Sequence, residues 1–406
     1  VSPRLTSALA LVLTPWVVAC AQSVTTAFDG GPREDARLER DSGAEDAREL
    51  GPDTADAGTV DAAPGPDVEA PDAEVAPDAP AARDATPYVP NEPCRELTLP
   101  CLDPSDPDVI EVPGETTLSA ALMMARANQT IQIRGAALGA GVRVPAFVTL
   151  RGCAGARIPS NLAFAGSGGT VEGFEVAGEI VGNQSGTFVV RYNRFTGTPS
   201  TRDAGVSARS IDALVSASVT MIVESNRFEG RSIGVEARTA YDTMVHEVDL
   251  TVQNNVFVGV TTPVSVSEGG LVGRIDARLE HNTFYRFEHA LELNSVTSVT
   301  HTRGNLFAAG QRAVSSNSPF DVAYSFVHDV ETPHMGPLVS GTFAQGDPDF
   351  VAAADGDLRL GARSAVIDRI PEREPVPSLD YYGCPRPRAL RGVDALADIG
   401  ALEAQP

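Results

Sequence analysis

Asp249 stands six residues before Asn255, and Asp276 stands six residues before Asn282. The stretches that carry them, Val248-Asp-Leu-Thr-Val-Gln-Asn-Asn255-Val-Phe257 and Ile275-Asp-Ala-Arg-Leu-Glu-His-Asn282-Thr-Phe284, read as two copies of one alternating pattern. If both are strands laid in register, the two aspartates face the same way about 4.8 Å apart. Carboxylates that close share a proton, hold a calcium ion, or serve as the carboxyl pair that glycoside hydrolysis needs. Arg278 and Glu280 fall on the same face, as do His301 and Arg303 from the next copy. The candidate catalytic patch is therefore Asp249, Asp276, Arg278 and His301, with Asp249 and Asp276 as candidate calcium ligands. His246-Glu-Val-Asp249 offers a second ligand pair, although no His-Glu-x-x-His pattern accompanies it. The plain alternative is that strands turn polar residues to water by default, and two aspartates can share a column without function.

Such a patch needs elements that hold five segments in register. Gly186 to Phe195, Val219 to Phe228, Val248 to Phe257, Ile275 to Phe284 and Ser298 to Phe307 each run as an alternating strand, then Asn, any residue, Phe. Their asparagines lie 33, 29, 27 and 23 residues apart, a period suited to the stacked coils of a solenoid. Alternation sends Val219, Met221 and Val223, Val248, Leu250 and Val252, and Ile275, Ala277 and Leu279 inward. Asn suits a tight bend because it tolerates a left-handed backbone and its amide bonds nearby peptide groups. The Phe two residues on returns to the core as a stacked ladder. Second strands within coils read at Gly205 to Ala208, Ile233 to Ala237, Pro263 to Val266, Leu291 to Leu293 and Ala313 to Ser315. Earlier coils read at Thr130 to Arg134, Val142 to Val144, Phe147 to Gly152 and Thr170 to Val176, for eight or nine coils in all. Glu115 to Asn128 carries Leu118, Ala121, Leu122 and Ala125 at helical spacing, and a helix there would cover the open end of the stack.

This repeat resembles the right-handed parallel β-helix of the pectate-lyase-like superfamily over most of residues 110 to 345. The resemblance implies an all-β, single-stranded right-handed parallel β-helix with a short N-terminal capping helix and an irregular C-terminal cap. It is a marker of fold more than of activity, since the scaffold hosts lyases, hydrolases and proteins without catalysis. Lyases of this kind abstract a proton with a basic residue, often arginine or lysine, while calcium or arginine neutralises the substrate carboxylate. All 31 basic residues here are arginine, which excludes a lysine base. The Asn-Thr-Asp, Asp-Asp, Gly-His-Gly and Arg-Ile-Lys motifs of the pectin hydrolases are missing. At the far end, Asp347-Pro-Asp-Phe350, Ser364-Ala-Val-Ile-Asp368, Asp380-Tyr-Tyr-Gly383-Cys-Pro-Arg386 and Asp398-Ile-Gly400-Ala-Leu-Glu403 resemble the C-terminal region of the choice-of-anchor Q proteins of bacterial surfaces. Leu402 stands where that group usually has an aromatic residue. Arg386 is expected to pair with Asp398 or Glu403 and fix the cap.

Residues 1–19 hold Arg4 and an apolar run interrupted by Pro15, which reads as a secretion signal and is too short to span a bilayer. It ends Val17-Val18-Ala19-Cys20, which resembles a bacterial lipobox. That resemblance makes Cys20 the site of lipid attachment, with Ala21 after it pointing to the outer membrane; plain signal cleavage or a buried cysteine is the alternative. Residues 20–93 read as a tether: 18 acidic residues stand against five arginines between positions 24 and 93, with only Phe28 and Tyr88 as aromatics. About 70 flexible residues reach roughly 45 to 50 Å. The remaining boundaries fall at 94–128 for the lead-in and helix, 129–345 for the β-helix and 346–406 for the cap.

A formal charge of −23 without a basic cluster excludes nucleic acid as a partner and disfavours polyanionic glycans. Apart from Cys20 there are four cysteines. Cys94 with Cys101 is the most local pairing, Cys101 with Cys153 the alternative, and Cys384 is expected free or buried. The leading expectation is a monomeric, surface-tethered lipoprotein, held to a membrane by its lipid and binding or presenting a face to extracellular polysaccharide without catalysis. A divergent polysaccharide lyase or glycoside hydrolase is the alternative, and a structural or adhesive envelope protein a third.

Overall fold

The computed structural model describes residues 99–404 except 113–114, 199–203, 211–215, 240–244, 270–272, 295–298, 372–373 and 387–395. All of them fall within one compact unit. The expected signal, Cys20, the tether and Cys94 lie outside the described residues.

The chain is an all-β parallel solenoid. Its first sheet stacks eleven strands among the described residues, from Val109–Val112 through Gly186–Arg191, Ala217–Glu224, His246–Gln253, Gly273–Glu280 and Val299–Arg303 to Leu338–Ser340. Every described pairing in that sheet is parallel, and the register follows the repeat: Val219 lies beside Val248 and Val248 beside Ile275. Strict alternation therefore builds one apolar column, and Val219, Val248, Leu250, Ile275 and Leu279 are all buried. The stack exceeds the expected eight or nine coils because its outer rungs lack the Asn-x-Phe sentence; the corner after Asn305 reads Tyr324-Ser325-Phe326.

The remaining strands of each coil form a second, fifteen-stranded sheet. In early coils a short strand such as Arg194–Thr196 and a third strand such as Ala204–Ser210 are separate. In later coils the link between them shortens until Thr283–Asn294 runs through both positions, pairing with Val256–Val258 and with Thr262–Ser267. That fusion, with shorter returns to the first sheet, is why the asparagine spacing falls along the chain.

The corners carry two ladders. Backbone N–H of Asn193, Asn226, Asn255 and Asn282 each donates to the Oδ1 of the next asparagine at 2.9 to 3.0 Å. The Nδ2 groups donate to the same oxygens at 3.1 Å and to backbone carbonyls of the preceding coil. The left-handed residue is the one before each asparagine, namely Tyr192, Ser225, Asn254, His281 and Gly304, and not the asparagine itself. Asparagine is needed for its amide, which satisfies buried peptide groups that a bend would orphan. Phe195, Phe228, Phe257, Phe284 and Phe307 stack with centroids 4.6 to 5.0 Å apart.

One helix, Glu115–Met124, lies between the first two rungs, and Leu118 and Ala121 join the apolar cluster of Val112, Ile131 and Ile133. It stops short of Asn128, which turns left-handed and donates its N–H to Phe147 O. No described helix is long and apolar enough to cross a membrane.

The C-terminal residues read as an irregular cap lie along the flank of the coils. Val366, Ile367, Ile370 and Ile399 pack with Leu306 and Phe326, while Leu358, Tyr381 and Leu402 pack with Val256, Val258 and Tyr285. Leu402 is buried in the place expected of an aromatic residue. At the last coil Val339 remains 70% exposed. Cys101 pairs with Cys153, which overturns a Cys94–Cys101 bridge. Cys384 is disulfide-bonded as well, and so is neither free nor merely buried.

Candidate functional site on the outer face of the first sheet

The outward residues of the first sheet form columns, and the column nearest the asparagine corner is an alternating ion-pair ladder. Arg151 Nη1 lies 3.2 Å from Glu172, Arg191 Nε lies 2.7 Å from the other oxygen of Glu172, and Arg191 also reaches Glu224 at 3.7 Å. Gln253 continues the run by donating to Glu224 at 2.8 Å. Arg303 closes onto Glu374 at 3.1 Å. Alternating charge lets neighbours on adjacent strands satisfy one another, which is what stability alone would select.

Two residues further from the corner on each strand, and two more beyond those, the pattern changes. Asp249 and Asp276 are register partners on adjacent parallel strands, as are Arg278 and His301, and His301 and Asp321. Strand spacing sets the two aspartates about 4.8 Å apart at the backbone. Burial raises the Asp249 carboxyl above its ordinary value, Asp276 and Glu247 push it further, and Arg278 and Arg274 pull against them. Arg274 lies 3.8 Å from Asp276, and one Asp276 oxygen is buried without a hydrogen-bond partner. His301 meets Asp321 at 3.3 Å on the exposed surface.

Asp249, Asp276, Arg278 and His301 thus share one face as expected. Glu247, Arg274 and Asp321 join them and were not foreseen. Asp321 sits four residues before Ser325, so the same column count would have found it had Ser325 been read as the ladder's last corner. His246 does not join. It is three residues from Asp249, so strand parity turns it inward, where its Nδ1 lies 2.8 Å from Ser210 Oγ in full burial. Most of Gly197 to Ala204 and of Arg238 to His246, the stretches that could wall a groove over this face, lies outside the described residues.

The patch does not fit calcium. Such an ion takes six to eight oxygen ligands, and no group of three or more His, Cys, Asp or Glu residues able to hold a metal occurs among the described residues. Arg274 and Arg278 already bring the positive charge an ion would supply. What remains is a set of exposed acceptors and donors on a rigid lattice.

The other polar cluster is sealed. Arg386 and Glu403 pair at 2.9 Å with neither side chain exposed, and Arg386 reaches Asp398 only through its backbone oxygen, at 3.1 Å. No substrate reaches those carboxylates, so they act by holding the C-terminal segment. Compared with models of known protein families and with the sequences of curated proteins, the chain matches none.

Proposed function

We propose that this chain is a surface-held binding module that engages extracellular polysaccharide on the outer face of its first sheet and does not cleave it. The observation that carries this reading is the in-register pair Asp249 and Asp276. Like charges opposite one another on adjacent strands are destabilising, and the neighbouring column of the same sheet avoids them. A residue choice that works against stability on an exposed face points to use by a ligand. Carboxylates accept hydrogen bonds from sugar hydroxyls, and Arg274 and Arg278 donate beside them. With a formal charge of −23, neutral glycans suit the chain better than polyanions.

Export, lipidation of Cys20 and an acidic tether over 20–93 complete the proposal, placing the module clear of an outer membrane. The right-handed pectate-lyase-like relationship and the choice-of-anchor Q likeness belong to the same reading.

Hydrolysis is the second reading, favoured by the raised Asp249 carboxyl and the pair's spacing. Against it, the Asn-Thr-Asp, Asp-Asp, Gly-His-Gly and Arg-Ile-Lys motifs of the pectin hydrolases are missing from the sequence. A glycan array probed with the intact chain and with Asp249→Asn and Asp276→Asn tests the proposal, alongside reducing-sugar and unsaturated-uronate assays on the same glycans. Binding that both variants weaken, without product, is the expected result. Product formation abolished by either variant would replace binding with catalysis.

A further inference from the structure

We propose that a hollow at the corner of the early coils, away from the sheet-face patch, is a binding site for a single neutral sugar ring. The hollow measures about 240 Å³, and Leu99, Gly155, Gly173, Tyr192, Ser225 and Tyr381 are among the residues that line it. It is built from three parts of the chain: the lead-in to the first disulfide, successive coil corners, and the C-terminal segment.

The repeat breaks where the hollow lies. From Asn193 to Asn305 each corner is a left-handed residue followed by a ladder asparagine. One coil earlier the same two places are Gly173, with φ of 79°, and Phe174, whose N–H caps the ladder by donating to Asn193 Oδ1. Gly173 therefore leaves the corner bare, and a Cβ there would stand 2.2 Å from Gly152 O and 3.2 Å from Leu99. The corner before it turns through Ala154 and Gly155, and a Cβ on Gly155 would meet nothing within 4 Å. Missing side chains at two successive corners open the space, and the tyrosines bound it.

Size and lining set the ligand class. Pockets for drug-sized ligands begin near 300 Å³, so this one suits a single ring. Tyr192 gives aromatic surface, which matches the C–H face of a pyranose, and its phenol hydroxyl can meet a ring oxygen, while Tyr381 bounds one side. The Tyr192 hydroxyl has no hydrogen-bond partner among the described residues, and burial first, with Glu224 and Glu172, holds it in the neutral form that donates. Glu175 and Arg194 stand at the rim in ion pairs with Arg157 at 2.9 Å and Glu229 at 2.8 Å. Two charges of each sign leave no net field for a charged ligand.

Asp249 and Asp276 take no part, so this proposal and the sheet-face reading fail separately. Saturation-transfer NMR on the intact chain with methyl glycosides of neutral hexoses tests it, using Tyr192→Ala, Tyr192→Phe, Ser225→Asn and, as control, Asp249→Asn. Ser225→Asn is tolerated at a left-handed corner, as Asn254 shows one coil on, and it narrows the hollow. Ring-proton transfer from at least one glycoside is expected, weakened about tenfold or more by Tyr192→Ala, weakened by Ser225→Asn, weakened less by Tyr192→Phe, and unchanged by Asp249→Asn. Should Tyr192→Ala fail to fold, Ser225→Asn and Tyr192→Phe decide. Binding that ignores all three corner variants overturns the proposal, and so does silence with every glycoside.

Discussion

Arg386 and Glu403 meet at 2.9 Å with both side chains wholly out of solvent. The same guanidinium donates to the Gly400 carbonyl at 2.8 Å and lies 3.4 Å from Asn254 Oδ1 and from His281 Nδ1, both at coil corners. One side chain thereby ties residues 398–403 to the stack. Arg386→Met removes the donor that Glu403, the Gly400 carbonyl and Asn254 share, and each buried group left unsatisfied costs about 1–3 kcal/mol. Urea unfolding should show that loss, and limited proteolysis should cut the C-terminal segment first. Unchanged unfolding would show that Leu358, Tyr381 and Leu402 hold the segment by apolar packing alone.

The pH dependence of this cluster follows from its charge count. Asp380, Asp398 and Glu403 face one guanidinium, while burial with Arg386 and Arg303 nearby keeps His281 neutral, well below its ordinary value. Burial raises Asp380, Asp398 to about 6 and Glu403 to about 8, and Asp398 and Glu403 titrate as a pair. Folded values above the unfolded ones mean that the fold binds protons the unfolded chain releases. The contribution is complete below the ordinary carboxyl range and is lost as pH rises toward 8. Stability should therefore decline between about pH 5 and 8.5, and Glu403→Gln, a neutral isostere, should flatten the decline. Denaturation midpoints across that range check it; a wild-type curve that rises instead would place the shared protons elsewhere.

In the asparagine ladder each amide serves two coils. Asn255 accepts from Asn226 N and Nδ2 and donates to Val223 O, Gln253 O and Asn282 Oδ1. Asn255→Ala orphans buried groups on both sides, at about 1–3 kcal/mol for each group left unsatisfied. Asn255→Asp should be at least as damaging, because a carboxylate can accept from Asn226 but cannot donate to Val223 O. Urea denaturation of both variants measures this, and an Asp variant as stable as wild type would show that the donor half of the amide is dispensable.

The columns were legible because a strand's side-chain period is two and stacked coils keep one register. Thr220, Asp249 and Asp276 could be aligned by counting back from asparagines. The flank-lying C-terminal segment was not legible, since residues 347–404 carry little periodicity. A weaker signal was present in the strands after the corners. Their outward positions read Arg194 and Thr196, then Arg227 and Glu229, but turn apolar at Val256 and Val258 and aromatic at Tyr285. That switch marks where Leu358, Tyr381 and Leu402 cover the coils. His246 was misplaced for a simpler reason, an odd separation from Asp249. The corner hollow is announced only by Gly173-Phe174 standing where the repeat has a side chain and an asparagine.

The Asp249–Asp276 pair offers the sharpest separation of structure from use. Asp249's folded value is raised, so protonation favours the fold at this position, and at neutral pH two neighbouring carboxylates work against it. Asp276→Asn keeps the shape and removes one charge. It should bring Asp249 back toward its ordinary value in a ¹³C carboxyl titration. It should also raise stability at pH 7 by about 0.2–1 kcal/mol at most, the face being open to solvent. The gain should shrink in high salt and fall away as pH drops and Asp249 takes up its proton. Combined with weaker glycan binding, a more stable variant would mean that the pair is kept for its ligand against the interest of the fold. A variant less stable than wild type would instead make the aspartates part of the scaffold, through Arg274 and Arg278, and would remove the observation on which the sheet-face reading rests.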